Sequence, residues 1–132
     1  MIFKNGDSFD RKFLVTETVY NGFIATFKDT NPLHTDEAFA IAHGFEGRVM
    51  HGNILNGFLS YFIGECLPDK NVIILSQEIQ FKKPVYLHDE LLFNAQITNV
   101  SEAVKAVEFK FTFKNPAGKV VSKGQIQIGL LA

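Results

Sequence analysis

The chain has 132 residues, enough for one domain with a substantial core and no need for disulfide or metal staples. Apolar residues make up 46% and charged residues 20%, which argues against a disordered chain. The formal net charge of −1 provides no broad field that would attract nucleic acid or an acidic membrane surface. No apolar run approaches the length of a membrane span, and the charged N-terminal segment does not match a secretory leader.

The first half of the chain is predicted to be mainly helical. In chain order we expect a strand or extended entry at 9–16, a helix at Glu17–Phe27, a turn-rich segment at 28–34, a short helix at 36–43 and a loop at 47–52. Thr16 or Thr18 is the expected cap of the first helix, because a side-chain oxygen there can accept from a free N–H. Gly44 ends the short helix.

The second half combines one long helix with several strands. Residues 53–67 have apolar side chains over a wide arc, which predicts a mostly buried helix that Pro68 ends. The hydrophobic period then becomes two, which predicts half-buried antiparallel strands at 73–81, 91–97, 107–113 and 120–130. A hairpin turn is expected at 115–118. The pattern predicts an α+β fold in which an antiparallel sheet curls around a long central helix, a hot-dog-like arrangement, with dimerisation as one way to manage the edge strand.

A single cysteine, Cys66, lies within the long helical pattern, so we expect a buried, unreactive thiol and no intramolecular disulfide. The lone cysteine also favours a reducing, cytoplasmic location. No group of His, Cys, Asp and Glu residues has metal-ligand spacing, so we expect a site without a metal. Ser60 has no nucleophile elbow around it, and no glycine-rich phosphate loop is present.

Residues 29–36 carry a carboxylate and an imidazole five positions apart, with a proline between them. If Asn31 caps a turn that begins at Pro32, His34 lies near a helix N-terminus whose dipole disfavours a charged imidazole. A neutral His34 beside an ionised Asp29 can hold one water through two hydrogen bonds and act as an acid–base pair. Spacing alone slightly favours another interpretation, in which Asp29 and Asn31 only form a turn and His34 lies on the surface.

A second segment, residues 47–53, leads directly into the long helix. The first N–H groups of a helix have no partner within it, so those near Gly52 could bind a developing enolate oxygen. Glycine would also allow a substrate to approach the backbone closely. Taken alone, the segment is better explained as an ordinary loop-to-helix turn.

Short motifs are distributed over nearly the whole chain: Asp29-x-Asn31-Pro32-Leu33-His34-x-Asp36, Ala38-Phe39-Ala40, Gly44-Phe45, Val49-Met50-His51-Gly52, Gln80-Phe81-Lys82-Lys83-Pro84-Val85 and His88-Asp89. Together they resemble the (R)-specific enoyl-CoA hydratases of the MaoC-like group, which have the hot-dog fold. The first motif is the most specific, whereas the motif around Pro84 is shared more loosely among hot-dog proteins.

The resemblance implies a homodimer in which residues 1–132 form a single hot-dog domain. It also implies hydration of trans-2-enoyl-CoA to (R)-3-hydroxyacyl-CoA, or the reverse dehydration, without a cofactor. By position, Asp29 and His34 would be the catalytic pair and Gly52 the oxyanion-hole residue, with His51 and Asn31 as further substrate-binding residues. The sequence does not decide whether CoA or acyl carrier protein carries the thioester. Lys82, Lys83 and Arg48 could contact the phosphates of either carrier, but they are better explained as ordinary surface residues.

Two positions depart from the pattern. His88 stands where relatives carry the glycine of a Gly-Asp turn, and Gly57 stands where relatives often carry a serine near the acyl group. Acyl-chain specificity is therefore left open. Two other classes of protein also remain: a hot-dog acyl-CoA thioesterase, whose carboxylate directs water at the carbonyl carbon, and a non-catalytic acyl-binding protein. The sequence Asn31-Pro32-Leu33-His34 favours the hydratase.

Overall fold

A long central helix packs against the inner face of a five-stranded antiparallel sheet. The computed structural model describes residues 2–131. In chain order its elements are β1 Ser8–Leu14, α1 Glu17–Phe27, α2 Pro32–Thr35, α3 Glu37–Ala42, α4 Asn53–Tyr61, a π-helical turn Phe62–Cys66, β2 Val72–Phe81, β3 Glu90–Ser101, β4 Ala106–Lys114 and β5 Val120–Leu130. No helix within residues 2–131 is both long and apolar enough to cross a membrane.

The sheet has the strand order β1-β3-β4-β5-β2, and every neighbouring pair is antiparallel. Strands β3, β4 and β5 form a meander, while β1 and β2 pair at its two edges. The predicted hairpin turn between β4 and β5 is confirmed by the N–H of Gly118, which donates to the carbonyl of Asn115 at 2.9 Å. These features confirm the α+β hot-dog fold expected from the hydrophobic pattern.

The three central strands bury alternate side chains, as their period of two predicts. Phe93 on β3 and Phe109 on β4 both contact Phe62, which follows α4, with ring centroids 4.8 and 6.1 Å apart. All three rings are almost fully buried. Phe side chains fill this volume without leaving a polar atom unpaired, which explains why a chain with 14 Phe and no Trp packs well here.

Strand β2 departs from the prediction of a half-buried strand. Ile73, Leu75 and Phe81 are each more than half exposed. Ile73 and Leu75 lie against the Cβ position of Gly129, next in sequence to the buried Ile128, so both side chains are on the outer face of the sheet. A register shift between Ile74 and Ser76 also interrupts the alternation along the strand. Ile73 and Leu75 therefore lie on the face opposite to Ile79, so the unbroken period of two predicted for this strand is wrong.

The predicted helix boundaries are close to those observed, with one difference. Thr16 caps α1 by accepting from the N–H of Val19 at 3.1 Å, so the first of the two candidate caps is confirmed. The long helix is α-helical only to Tyr61 and then widens into the π-helical turn. Cys66, in that turn, is half-buried and has no disulfide partner, so it is less buried than predicted.

Candidate active site

Asp29 is positioned by the end of α1. Lys28 adopts a left-handed conformation (φ 63°) and donates its N–H to the carbonyl of Ile24, which stops the helix and turns the chain. The carboxylate of Asp29 then accepts from the N–H of Asn31 at 3.2 Å through Oδ1. Its side chain is 49% exposed, so the second oxygen, Oδ2, is available to other groups.

His34 is positioned by the short helix α2. Asn31 caps this helix through its side-chain oxygen, which accepts from the N–H of Leu33 at 3.0 Å, and Pro32 occupies the first turn. The ring atom Nδ1 of His34 lies 2.7 Å from the carbonyl oxygen of Val49. A carbonyl can only accept, so Nδ1 carries a hydrogen, and Nε2 is the ring nitrogen that is left for other contacts.

The predicted pair is brought together in the structure. Nε2 of His34 and Oδ2 of Asp29 are 3.9 Å apart. That distance is too long for a direct hydrogen bond but suits one bridging water with hydrogen bonds of about 2.8 Å to each atom. The geometry therefore favours the acid–base interpretation over that of a turn with a surface histidine.

His51 connects the two candidate catalytic residues. Its ring is only 3% exposed, and its Nε2–H donates to the backbone carbonyl of Asp29 at 2.8 Å. The ring also stacks on that of His34, with centroids 3.9 Å apart and planes at 29°. Within residues 2–131, Nδ1 of His51 has no hydrogen-bond partner. Burial lowers the pKa of His51 from its ordinary value of 6.5, so the ring is neutral at physiological pH.

The lowered pKa of His51 predicts a loss of stability in acid. Below about pH 6.5 the unfolded chain gains a proton at this residue that the folded protein does not, so acidification favours unfolding. The free energy of unfolding should fall by up to about 1.4 kcal/mol per pH unit from this residue alone. Urea titrations at pH 7.5 and 5.5 measure the change. His51→Gln, which stays neutral, should be less sensitive to pH than wild type, and the exposed-site variant His43→Gln should retain the full sensitivity. Equal sensitivity in wild type and His51→Gln would contradict the assignment.

Gly52 stands at the head of α4. No group within residues 2–131 accepts a hydrogen bond from its backbone N–H, as expected for the first position of a helix. A Cβ atom at this position would lie 2.7 Å from the ring of Phe81, so a side chain here would require that ring to move. The free N–H is available to a ligand, and glycine leaves the Phe81 ring in its place over the head of the helix.

These residues line a single cleft of about 440 Å³. Asp29, His34, His51 and Gly52 all contribute to its wall, whereas Asn31 does not. The side-chain oxygen of Asn31 is instead engaged in capping α2, so the geometry does not support the predicted contact with substrate. Exposed lysines at positions 82 and 83 also line the cleft and give its rim a positive charge.

Tyr20 is a site residue that the sequence did not indicate. This buried residue of α1 donates its hydroxyl to the backbone carbonyl of His34 at 2.6 Å. The guanidinium of Arg48 lies over the Tyr20 ring, 5.0 Å from its centroid, and so is engaged in the structure. The only signal in the sequence was a general one: the hydroxyl of a buried tyrosine usually needs a hydrogen-bond partner.

Asp29, His34 and His51 form a cluster whose donor atoms lie within 4.8 Å of one another, which sequence spacing did not suggest. Nδ1 of His34 and Nε2 of His51 are already engaged with backbone carbonyls. The ring nitrogens that remain belong to two rings that stack face to face, whereas ligands of one ion usually approach it from well-separated directions. This geometry does not favour a shared metal, and the metal-free site stays a prediction.

An antiparallel sheet packed on a central helix, with an acid–base cleft at the head of that helix, defines a hot-dog-fold protein. The MaoC like domain profile matches residues 6–116, and the chain belongs to the MaoC-like domain family. The (R)-specific enoyl-CoA hydratase of Rhodospirillum rubrum is 32% identical over 125 residues, covering 95% of this chain and 86% of the relative. The enzyme of the same name from Aeromonas caviae is 40% identical over 80 residues, covering 61% of this chain and 60% of the relative.

Solved structures agree with the family assignment. An (R)-hydratase from A. caviae involved in PHA biosynthesis matches with a TM-score of 0.90 at 28% identity, over 98% of both chains. The unliganded R-hydratase PhaJ1 from Pseudomonas aeruginosa matches with a TM-score of 0.87 at 28% identity, over 98% of this chain and 83% of that one.

Proposed function

We propose that this protein is an (R)-specific enoyl-thioester hydratase that also catalyses the reverse dehydration. The observation that carries the proposal is the 3.9 Å separation between Oδ2 of Asp29 and Nε2 of His34, in the same cleft as the free N–H of Gly52. One face of the cleft can thus hold a water while a helix head binds an oxyanion. Relatives named (R)-specific enoyl-CoA hydratase support this reaction class.

The mechanism follows from the geometry of the pair. Asp29 and His34 hold a water beside the β-carbon of the enoyl thioester. As the water oxygen bonds to the β-carbon, Asp29 accepts its proton, and the thioester oxygen becomes enolate-like and accepts from the N–H of Gly52. The same pair then protonates the α-carbon on the same face. The net result is syn addition of water, with no cofactor required.

Two residues support the pair without taking part in proton transfer. His51 holds the backbone of Asp29 and the ring of His34, so we assign it a positioning role rather than a direct contact with substrate. Asn31 positions His34 by capping α2 and provides the N–H that orients the Asp29 carboxylate. Neither assignment requires these side chains to reach the substrate.

We propose CoA or acyl-carrier-protein thioesters as substrates. Both carriers present a pantetheine arm that ends in phosphate, and Lys82 and Lys83 lie at the same cleft as the acid–base pair. Relatives named for each kind of carrier are similar to this chain, including a mitochondrial 3-hydroxyacyl-[acyl-carrier-protein] dehydratase from Arabidopsis thaliana that is 34% identical over 100 residues. The cytoplasmic location stays a prediction.

We also propose that the protein acts as a homodimer that pairs through β2. This edge strand exposes Ile73, Ile74 and Leu75 in succession, which leaves both backbone hydrogen-bonding groups and apolar side chains uncovered. An exposed apolar edge of this kind invites aggregation unless another chain covers it. A second copy paired along β2 would protect the edge and bury these side chains.

A two-channel assay tests the proposed reaction against thioesterase activity. Hydration of crotonyl-CoA removes the conjugated enoyl absorbance and leaves the thioester intact, so absorbance should fall with no release of thiol. A thioesterase would instead release free CoA, which a thiol reagent detects. Thiol release at the rate of absorbance loss would overturn the proposal, and the absence of both signals with short and medium enoyl thioesters would favour the non-catalytic alternative.

A further inference from the structure

A second and larger cavity lies between helices α1 and α4. This α1–α4 groove has a volume of about 800 Å³, within the range of small-molecule sites. Its wall is mostly apolar and includes Val19, Phe23, Phe27, Ile54 and Phe58. Phe27 is 66% exposed, so a large apolar side chain there lacks a cover within the described residues. The groove is suited to an apolar ligand.

The groove is continuous with the active-site cleft. Phe23, Asp29 and Asn53 contribute to the walls of both cavities. A ligand whose reacting carbon lies at Asp29 therefore has a direct path into the groove. From Val19 to Phe27 the groove follows α1 for about 12 Å at the usual helical rise, far more than a four-carbon acyl group needs.

Two helical glycines keep the groove open. Gly22 on α1 and Gly57 on α4 both line it, and a Cβ atom built on either would meet no other atom within 4 Å. Neither glycine has a positive φ, so neither backbone conformation nor packing requires glycine. Glycine destabilises a helix interior relative to alanine. Its observable effect at both positions is to leave space between the helices.

We propose that the α1–α4 groove binds the hydrocarbon tail of the substrate and makes the protein selective for medium-length enoyl thioesters. This inference rests on the proposed hydratase function and adds its substrate class. The tail is the part of such a substrate that is apolar and attached to the carbon that receives water. Burial of additional methylene groups between the two helices stabilises the longer thioesters.

Gly57→Leu tests the proposal by placing a bulky side chain in the groove. We expect kcat/KM for trans-2-octenoyl-CoA to fall at least about tenfold, while crotonyl-CoA, which does not reach the groove, changes less than about twofold. Gly22→Leu, from the opposite wall, should show the same selectivity. The matched control is Gly64→Leu, because Gly64 also has open space around its Cβ position but does not line the groove. Its ratio of octenoyl to crotonyl activity should equal that of wild type.

Binding of saturated thioesters separates this inference from the proposed function. Calorimetry should show that Gly57→Leu and Gly22→Leu weaken the binding of octanoyl-CoA at least about tenfold. The affinity for butyryl-CoA should be almost unchanged. Selective weakening in a protein that hydrates no enoyl thioester would support the groove and reject the hydratase. If active variants lost activity equally on short and medium substrates, or on neither, the proposed role of the groove would be wrong. If one leucine variant fails to fold, the other decides.

Discussion

Asp29→Asn is expected to reduce kcat by about 10²–10⁴-fold with little effect on the fold. The amide has the shape of the carboxylate and can still accept from the N–H of Asn31, but it cannot take a proton from the bound water. Because the Asp29 side chain is half exposed, its replacement creates no cavity. Turnover of crotonyl-CoA measures the effect, and circular dichroism with thermal unfolding tests the fold.

Asp36→Asn is the matched control for this substitution. Asp36 caps α3 by accepting from the N–H of Phe39 at 3.1 Å, and asparagine is an equally good cap. Asp36→Asn replaces a carboxylate by an amide, as Asp29→Asn does, but Asp36 does not line the cleft. We expect near wild-type kcat from Asp36→Asn. If Asp29→Asn were equally active, Asp29 could not be the group that accepts the proton.

His34→Gln is expected to reduce kcat by a similar factor, about 10²–10⁴-fold. Glutamine can replace the hydrogen bond to the Val49 carbonyl, but it cannot both hold that bond and present an imidazole lone pair to the water. The hydroxyl of Tyr20 contacts the backbone carbonyl of His34 rather than its ring, so that anchor should survive. Steady-state kinetics should place the loss mainly in kcat, because the ring acts on the water rather than on the substrate tail.

His43→Gln controls for the loss of an imidazole. Nδ1 of His43 lies 2.8 Å from the carbonyl of Phe39, the same kind of ring-to-carbonyl contact that His34 makes with Val49. His43 is exposed and does not line the cleft, so the variant should keep nearly full activity. Equal losses in the two variants would show that the loss arises from structural damage rather than from acid–base chemistry.

The central strands and the proximity of Asp29 and His34 could be predicted because their signals are local. Alternation of apolar residues in β3 and β4 reports directly which side chains face the core, and Phe93 and Phe109 are buried as that pattern requires. The bend that brings Asp29 to His34 comes from the neighbouring residues Asn31 and Pro32. Local chemistry therefore brings the two residues close together, whereas the carbonyl of Val49, 15 positions away, orients the His34 ring. The family resemblance suggested a function for the pair.

Features that depend on distant parts of the chain could not be predicted. The pattern of β2 matches that of a half-buried strand, yet a register shift against β5 leaves Ile73 and Leu75 exposed on the outer face of the sheet. The hydrogen bond between His51 and the Asp29 carbonyl joins residues 22 positions apart, and no spacing rule indicates it. Gly57 was noticed only as a departure from the family pattern. The structure adds that it lines an open groove next to the active site.

Water enriched in oxygen-18 provides the most direct test of the proposed reaction. The purified protein would be incubated with crotonyl-CoA in the labelled water, and the product analysed by mass spectrometry and chiral separation. Attack on the β-carbon by a water held between Asp29 and His34 predicts label in the hydroxyl of an intact (R)-3-hydroxybutyryl thioester. Label in a free carboxylate, accompanied by released CoA, would place the attack at the carbonyl carbon and contradict the hydratase mechanism.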